Sequence, residues 1–335
     1  MAQLDRASDY GSEGCGFESY WARHITSDMI DVSHKSIYKR YVEYPITGFF
    51  ARLVFAFFSI TPFRFNSALG GFLFRTIGPL LKEHKTAKNN LKIAFPQISE
   101  PEADAILTKM WNNIGRTFFE FPKLDYIAAH GHEFVTINHP ELAEKIKNDK
   151  NPVFFVSAHY GNWEVMRYFL LSVLKDHPCC FMYRPPNNPY LADIFSGRGN
   201  VNHKDATDTF PAIEKGLPGF KKLVTFVKKG YSVFSLVDQK LFEGVEITFF
   251  GRKVHAVPAP ASLAIKYKRD VYMILMKRTG DTTFEIDLEK LPPPQITGND
   301  HEENIRQYTQ VLNDCIEREI RKNPEQWFWV HNRFK

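Results

Sequence analysis

The chain has 335 residues, of which 44% are hydrophobic and 15% aromatic, so it is long enough to bury a large core. Its formal net charge of +5 suits an anionic membrane surface or an acidic protein partner, but is too small to indicate a nucleic-acid-binding protein. The four cysteines show neither C-x-x-C nor metal-site spacing, which indicates buried thiols in a reducing compartment.

The first 28 residues are polar and rich in serine and glycine, and they lack the apolar periodicity of a packed element. Their sequence resembles the peptide obtained when a tRNA gene is translated by mistake. We therefore predict that residues 1–28 are a non-native or disordered extension and that the native start is Met29. This hypothesis predicts no ordered packing of this segment against the main body.

Residues 46–63 form the most apolar window of the chain, and the only charged residue in it is Arg52. At about 1.5 Å per helical residue, the window is barely long enough to cross the hydrocarbon core of a bilayer. Lys35, Lys39 and Arg40 precede it, which favours a cytoplasmic N-terminal flank. We predict that residues 29–81 form a membrane anchor, whose helix either spans the bilayer or lies on it. A plain buried helix is the alternative.

Residues 82–335 are predicted to form one catalytic domain. Its first part has amphipathic helical patterns, in which Glu120 is expected on a solvated helix face. A position facing the site is the alternative for Glu120. From Phe134 onward, apolar runs alternate with helical patterns, which predicts an α/β fold with a mixed, mostly parallel sheet flanked by helices. The predicted strands are 134–137, 153–157, 179–183, 232–237, 271–277 and 283–288. The predicted helices are 140–148, 163–176, 190–198, 213–229, 259–267 and 301–322.

One stretch combines a buried strand with titratable side chains. The apolar run 153–157 ends close to His159, Gly161-Asn162 offers a turn, and a helix is predicted from Trp163. His159 and Glu164 are five residues apart, so they cannot share a helical face, but a bend after the strand can bring them together. A carboxylate on one imidazole nitrogen leaves the other as a base. A purely structural histidine–glutamate pair is the alternative.

Four sequence blocks in order carry a family resemblance. His159–Glu164 (H-Y-G-N-W-E) has the H-x4-D/E pattern of glycerolipid acyltransferases, in the form used by bacterial lipid A biosynthesis acyltransferases. Three more blocks resemble the same family, and the match runs from about residue 40 to the C-terminus. These blocks are Tyr183–Pro189 (Y-R-P-P-N-N-P), residues 236–252 with D-Q, G-V and F-F-G-R, and Pro324–Arg333 (P-E-Q-W-F-W-V-H-N-R).

The resemblance implies transfer of a fatty acyl group from a thioester to a hydroxyl. His159 would be the base and Glu164 its orienting partner. Arg184 would meet an oxyanion or a phosphate, although pairing a structural carboxylate is the alternative. Asp238, which is followed by Gln239, would position Arg184 or the acceptor, or would cap the sheet edge. Among the basic residues of the central region, Arg252 would bind substrate.

The resemblance also implies partners and a location: an acyl carrier protein as donor, a lipid A precursor as acceptor, and the cytoplasmic face of the cell inner membrane. There is no G-x-S-x-G elbow, no Walker motif and no dinucleotide-binding motif, so we expect no covalent enzyme intermediate, no cofactor and no metal. Acylation of another glycolipid, lipid binding without catalysis, and thioester hydrolysis remain alternatives.

Overall fold

The computed structural model describes residues 38–149, 151–175, 177–184, 186–192, 194, 210–214, 216–296 and 300–334. The predicted N-terminal extension, residues 1–28, lies outside these ranges, as does most of the helix predicted for 190–198. Within them the α-helices are α1 Tyr44–Ile60, α2 Phe63–Ile77, α3 Lys82–Ala94, α4 Glu100–Glu120, α5 Leu124–His130, α6 Pro140–Asp149, α7 Leu217–Lys228, α8 Ala259–Tyr267 and α9 His301–Lys322. Between α6 and α7, the segments Trp163–Val165, Met166–Tyr168 and Phe169–Leu174 continue one another as 3-10, α and π turns.

The N-terminal helices meet the rest of the chain through a close helix crossing. Gly70 of α2 faces Gly115 of α4 so closely that a Cβ atom on either glycine would lie within 2.3 Å of the other's carbonyl oxygen. Helix α4 begins with a capping box in which Ser99 and Glu102 satisfy each other's backbone N–H groups. Residues Lys39–Ile60, a π turn followed by α1, form a helix long and apolar enough to cross a membrane by length and composition.

The described residues contain a seven-stranded sheet in the order β1-β9-β8-β2-β5-β3-β4 and a separate antiparallel hairpin, β6-β7. All neighbouring pairs of the large sheet are parallel except β8 and β9, so the predicted mixed, mostly parallel sheet is confirmed. The strands are β1 Val135–Asn138, β2 Phe154–Ser157, β3 Cys179–Tyr183, β4 Ala212–Glu214, β5 Ser232–Leu236, β6 Val245–Phe249, β7 Arg252–Ala256, β8 Val271–Arg278 and β9 Phe284–Lys290.

Both faces of the sheet are covered, as the alternation of strands and helices predicts. Successive residues of β2 point to opposite faces, so Phe154 and Val156 join one apolar cluster while Phe155 joins the other. All four residues of β2 are buried, and this strand lies in the middle of the sheet, between β8 and β5. The polar residues that follow β2 are therefore presented at the centre of one sheet edge.

The structure differs from the sequence prediction at three places. The predicted helix 213–229 begins at Leu217, because the residues before it form the short edge strand β4. The β6-β7 hairpin was not predicted, although buried and more exposed residues alternate along both of its strands. The expectation that Glu120 faces solvent is wrong: its side chain is fully buried.

Candidate active site

Three adjacent parallel strands deliver the predicted site residues to one edge of the sheet. His159 follows β2, Asp238 and Gln239 follow β5, and Arg184 follows β3. Strand β5 lies between β2 and β3 and is parallel to both, so all three C-terminal ends are at the same edge. Sites in open α/β sheets form at this kind of edge.

Asp238 holds His159 at two points. Its Oδ1 lies 2.9 Å from Nδ1 of the imidazole, and its Oδ2 accepts a hydrogen bond of 2.8 Å from the His159 backbone N–H. The Asp238 side chain is fully buried, whereas 15% of the His159 side chain is exposed. Burial by itself raises the pKa of the Asp238 carboxyl, but the charge and hydrogen bonds of His159 outweigh burial and hold this pKa well below its usual range. The pair therefore keeps a carboxylate on Nδ1 and leaves Nε2 without a bond to Asp238.

The structure corrects the predicted pairing of His159 with Glu164. The nitrogen that Glu164 was expected to hold is bound by Asp238 instead. Glu164 is buried in the first turn of the following helix, where its Oε1 accepts a hydrogen bond of 3.1 Å from Nε1 of Trp163. Trp163 in turn lies against the imidazole, with ring centroids 5.2 Å apart. Glu164 is therefore linked to His159 through Trp163, which contacts both residues.

A second imidazole, which the sequence interpretation did not assign to the site, lies beside the first. The ring of His331 is 4.9 Å from that of His159, and Phe328 packs against both rings. Ligand atoms of His159, Asp238 and His331 lie within 4.8 Å of one another, so these residues could hold a metal ion. Both oxygens of Asp238 already accept hydrogen bonds in this arrangement.

The C-terminal segment packs against the residues that follow β2. Trp327 bridges to Tyr160, and the backbone N–H of Phe328 donates to the carbonyl oxygen of His159 at 3.0 Å. Trp327 and Trp329 are both fully buried and meet edge to face at 4.6 Å. Both tryptophans are therefore part of the core.

Arg333 holds the residues that follow β5 in place. Its fully buried guanidinium donates to the carbonyl oxygens of Gln239 and His255 and to the side chain of Asn313. Burial lowers the pKa of Arg333 to about 10, against the opposing effect of the Asp238 charge. Even so, the guanidinium stays protonated at neutral pH.

The turn after His159 is held by a buried polar network. Gly161 has a φ of +57°, and a Cβ atom there would lie 1.9 Å from the carbonyl oxygen of Met276, so the turn requires glycine. Asn113 donates to the Gly161 carbonyl oxygen, and Asn162 donates to Glu120. Glu120 also forms a two-point ion pair with Arg278, at 2.9 and 2.7 Å. This pairing explains why a glutamate is tolerated in the core.

The remaining predicted residues occupy different positions. The side-chain amide nitrogen of Gln239 lies 3.5 Å from Nε2 of His159, on the nitrogen that Asp238 leaves available. Arg184 is exposed at the end of β3. Arg252 begins β7 and lines an open depression of about 400 Å³ together with Asn90 and Lys92. Asn90 donates to the carbonyl oxygen of His331, so one layer of backbone separates this depression from the site.

Replacing Trp327 with phenylalanine is expected to lower kcat about 10-fold with little change in KM. Nε1 of Trp327 donates to Oδ2 of Asp238 at 2.9 Å, and a hydrogen bond to a charged group is worth about 1.5–3 kcal/mol. Without this hydrogen bond, Oδ2 of Asp238 loses one of its donors, and the carboxylate holds His159 less rigidly. Steady-state kinetics of the folded variant measure this effect. Trp329→Phe is the matched control, because its indole donates to Pro324 and not to Asp238.

Comparison with known proteins identifies the family of this chain. A family model described as bacterial lipid A biosynthesis acyltransferase matches residues 33–335. Curated relatives include a lipid A biosynthesis acyltransferase of Haemophilus influenzae, 24% identical over 84% of this chain and 85% of the relative. They also include two Escherichia coli proteins, a lipid A biosynthesis palmitoleoyltransferase (23% identical; 77% of this chain, 80% of the relative) and a lauroyltransferase (24%; 75% and 78%). The resemblance carried by the four sequence blocks is thereby confirmed, and the chain belongs to the bacterial lipid A biosynthesis acyltransferase family.

Proposed function

We propose that the protein transfers a fatty acyl group from an acyl carrier protein thioester to a hydroxyl group of a lipid A precursor. The observation that carries the proposal is the imidazole of His159, with Nδ1 held by the buried carboxylate of Asp238 and Nε2 directed away from it. The family and the acyl transfers named for its relatives supply the reaction class.

His159 acts as the general base in this mechanism. Nε2 removes the proton of the acceptor hydroxyl while the hydroxyl oxygen attacks the thioester carbonyl carbon. Asp238 stabilises the positive charge that then forms on the imidazole. The tetrahedral intermediate collapses by breaking the carbon–sulfur bond, and the departing thiolate takes the proton back from Nε2. The products are an ester and a free thiol, and no covalent enzyme intermediate forms.

Two further residues are proposed to bind the reacting groups. Gln239 lies next to Nε2 of His159, where its amide can donate to the hydroxyl oxygen or to the developing oxyanion. Arg184 follows β3, which lies two strands from β2, and is at the same sheet edge as His159. It is proposed to bind the oxyanion or a phosphate group. Glu164 is proposed to be a positioning residue that orients Trp163 against His159.

Exposed basic residues support an anionic donor and an anionic acceptor. An acyl carrier protein is acidic and a lipid A precursor carries phosphates, so both are attracted to a cationic surface. Arg252 is proposed to contribute to this surface from the tip of the β6-β7 hairpin, together with Lys92 in the same depression. Exposed lysines of α7, Lys221, Lys222 and Lys228, add to the positive charge.

The protein is proposed to work at the cytoplasmic face of the inner membrane, with residues 29–81 as its anchor and residues 82–335 as its catalytic domain. The helix Lys39–Ile60 is apolar, and only 6% of its most apolar 18-residue window is buried inside the protein. Lys39 and Arg40 at its start favour a cytoplasmic N-terminal flank.

Mass spectrometry of the reaction products tests this function. Purified protein is incubated with a panel of acyl carrier protein and coenzyme A thioesters and with a Kdo-bearing lipid A precursor. The proposal predicts that the precursor gains the mass of one acyl ester while one thiol is released. Free fatty acid without acylated precursor would instead identify a thioester hydrolase, and acylation of a different glycolipid alone would identify another acceptor.

A further inference from the structure

Helix α1 has two different faces along its whole length. Seven of its residues contact the rest of the protein, and at about 100° per residue they fall within an arc of about 140°. This set, the body face, consists of Tyr44, Thr47, Gly48, Arg52, Phe55, Phe58 and Ser59.

The opposite arc of α1 is apolar and uncovered. It also spans about 140°, and its centre lies about 160° around the helix from the centre of the body face. Each of its side chains is at least half exposed. Soluble proteins rarely expose a contiguous patch of this many large apolar side chains to water. This set, the outer face, consists of Ile46, Phe49, Phe50, Leu53, Val54, Phe57 and Ile60.

The body face is attached at both ends of the helix. At the N-terminal end, Asn188 donates to the Tyr44 carbonyl oxygen and to the Thr47 hydroxyl. Halfway along the helix, the Arg52 guanidinium donates to the Tyr190 carbonyl oxygen. At the C-terminal end, the ring of Phe58 meets Phe119 at 4.8 Å, and Lys123 donates to the Ser59 carbonyl oxygen. Tyr44 and Ser59 are 15 residues apart, or about 23 Å along the axis.

These attachments are incompatible with a helix that crosses the bilayer. A crossing helix has hydrocarbon on every side that is not covered by other membrane-embedded elements. Asn188 and Lys123 are attached to α1 at points about 23 Å apart. If α1 crossed a hydrocarbon core of about 30 Å, both residues, and the polar catalytic body to which they belong, would lie inside the hydrocarbon. A helix that lies lengthwise along the surface exposes its outer face to lipid and keeps the body in water.

We propose that α1 lies in the plane of one leaflet without crossing it, so the protein is attached to one side of the membrane only. The occupant of the outer face is a bilayer with anionic lipid headgroups, because exposed basic residues flank the helix at both ends. These are Lys39 and Arg40 before it and Arg64 after it. The proposal rests on the membrane location proposed above and specifies how that location is achieved.

This attachment brings the candidate active site to the lipid surface. The body face packs against Phe119 and Phe121, which flank Glu120, and Glu120 accepts a hydrogen bond from Asn162 in the turn after His159. At its other end, the helix rests on Asn188 in the segment that follows β3, at the same sheet edge as His159. A lipid acceptor can therefore reach the site from the leaflet on which α1 lies.

Cysteine labelling determines whether the helix crosses. A Cys15→Ser background leaves Cys179, Cys180 and Cys315, which are buried. Single reporters are then introduced before α1, in the first turn of α2, and on the catalytic body, as Ser33→Cys, Arg64→Cys and Lys221→Cys. A membrane-impermeant maleimide is applied to spheroplasts and to inverted inner-membrane vesicles. The proposal predicts that all three reporters react from the cytoplasmic face. Reaction of the Ser33 or the Arg64 reporter from the opposite face would overturn it.

Charges on the outer face supply a second test. Leu53→Glu with Phe57→Glu is expected to reduce binding to vesicles of phosphatidylethanolamine and phosphatidylglycerol about 100-fold, because two apolar side chains are lost from lipid. Thr108→Glu with Thr225→Glu adds the same charge at exposed positions outside α1 and is expected to bind like the parent protein. Equal binding of both double variants would contradict the proposal. Acyl transfer to acceptor dispersed in detergent reports on the proposed function independently, since it requires no bilayer.

Discussion

Replacement of Asp238 with asparagine is expected to lower kcat by about 10³-fold while the protein remains folded. The backbone N–H of His159 and Nε1 of Trp327 both donate to Oδ2, so the amide oxygen of asparagine takes that position. Its NH₂ group then faces Nδ1 of His159, which must become an acceptor. The imidazole is thereby forced into the tautomer that carries its proton on Nε2, where it cannot act as a base.

Steady-state kinetics measure this effect, with folding checked by near-UV circular dichroism. KM is expected to change little, because the Asp238 side chain is fully buried. Asp270→Asn is the matched control: this carboxylate is half exposed and pairs with Lys290 at the surface, so its loss should leave kcat within twofold. A kcat for the Asp238 variant within tenfold of the parent value would show that the carboxylate does not determine the tautomer.

The second large effect is expected for His159→Asn. The asparagine side chain places an N–H donor near the position of Nδ1, so it can still satisfy Asp238, but it has no group at the position of Nε2. Only the base is removed, and kcat is expected to fall at least about 10³-fold. Vesicle binding and thermal stability should stay close to those of the parent protein, because the buried carboxylate retains a donor.

His139→Asn is the control for this substitution. His139 is an exposed histidine at the end of β1 with a φ of +62°, a conformation that asparagine tolerates well. Its activity should equal that of the parent protein. Undiminished acyl transfer by the His159 variant would rule out the imidazole as the base and would end the proposed mechanism.

The sequence predicts the catalytic histidine but not its partner, for a physical reason. His159 stands at the end of an apolar run whose burial is evident from composition, and the turn at Gly161 follows at once. Asp238 is 79 residues away, and only the parallel pairing of β2 with β5 places it on Nδ1. Glu164 is close in sequence, and local spacing therefore favoured it over a partner that depends on strand order.

The same limit explains the other differences. Strands buried on both faces, such as β2 and β8, are continuous apolar runs and are predicted within one or two residues. Strand β4 has three residues and lies at the sheet edge, where little burial marks it. Glu120 reads as a surface residue because its partner, Arg278, is 158 residues away. Long-range polar pairs of this kind leave no periodic signal in the sequence.

The C-terminal segment carries a signal that could have identified it as part of the site. Trp327, His331 and Arg333 stand within seven residues, and each reaches a different part of the histidine–aspartate pair or its support. The clustering of aromatic, imidazole and guanidinium groups is the signal, and it lies in the last of the four blocks that carry the family resemblance.

The role of Asp238 depends on which ring nitrogen of His159 carries the proton. Nitrogen-15 NMR of protein labelled at histidine, with His159 assigned by comparison with the His159→Asn variant, reports this position in the neutral imidazole. We expect a proton on Nδ1 in the parent protein and on Nε2 in the Asp238→Asn variant, with loss of acyl transfer accompanying the change. A proton on Nε2 in the active parent protein would rule out the proposed base.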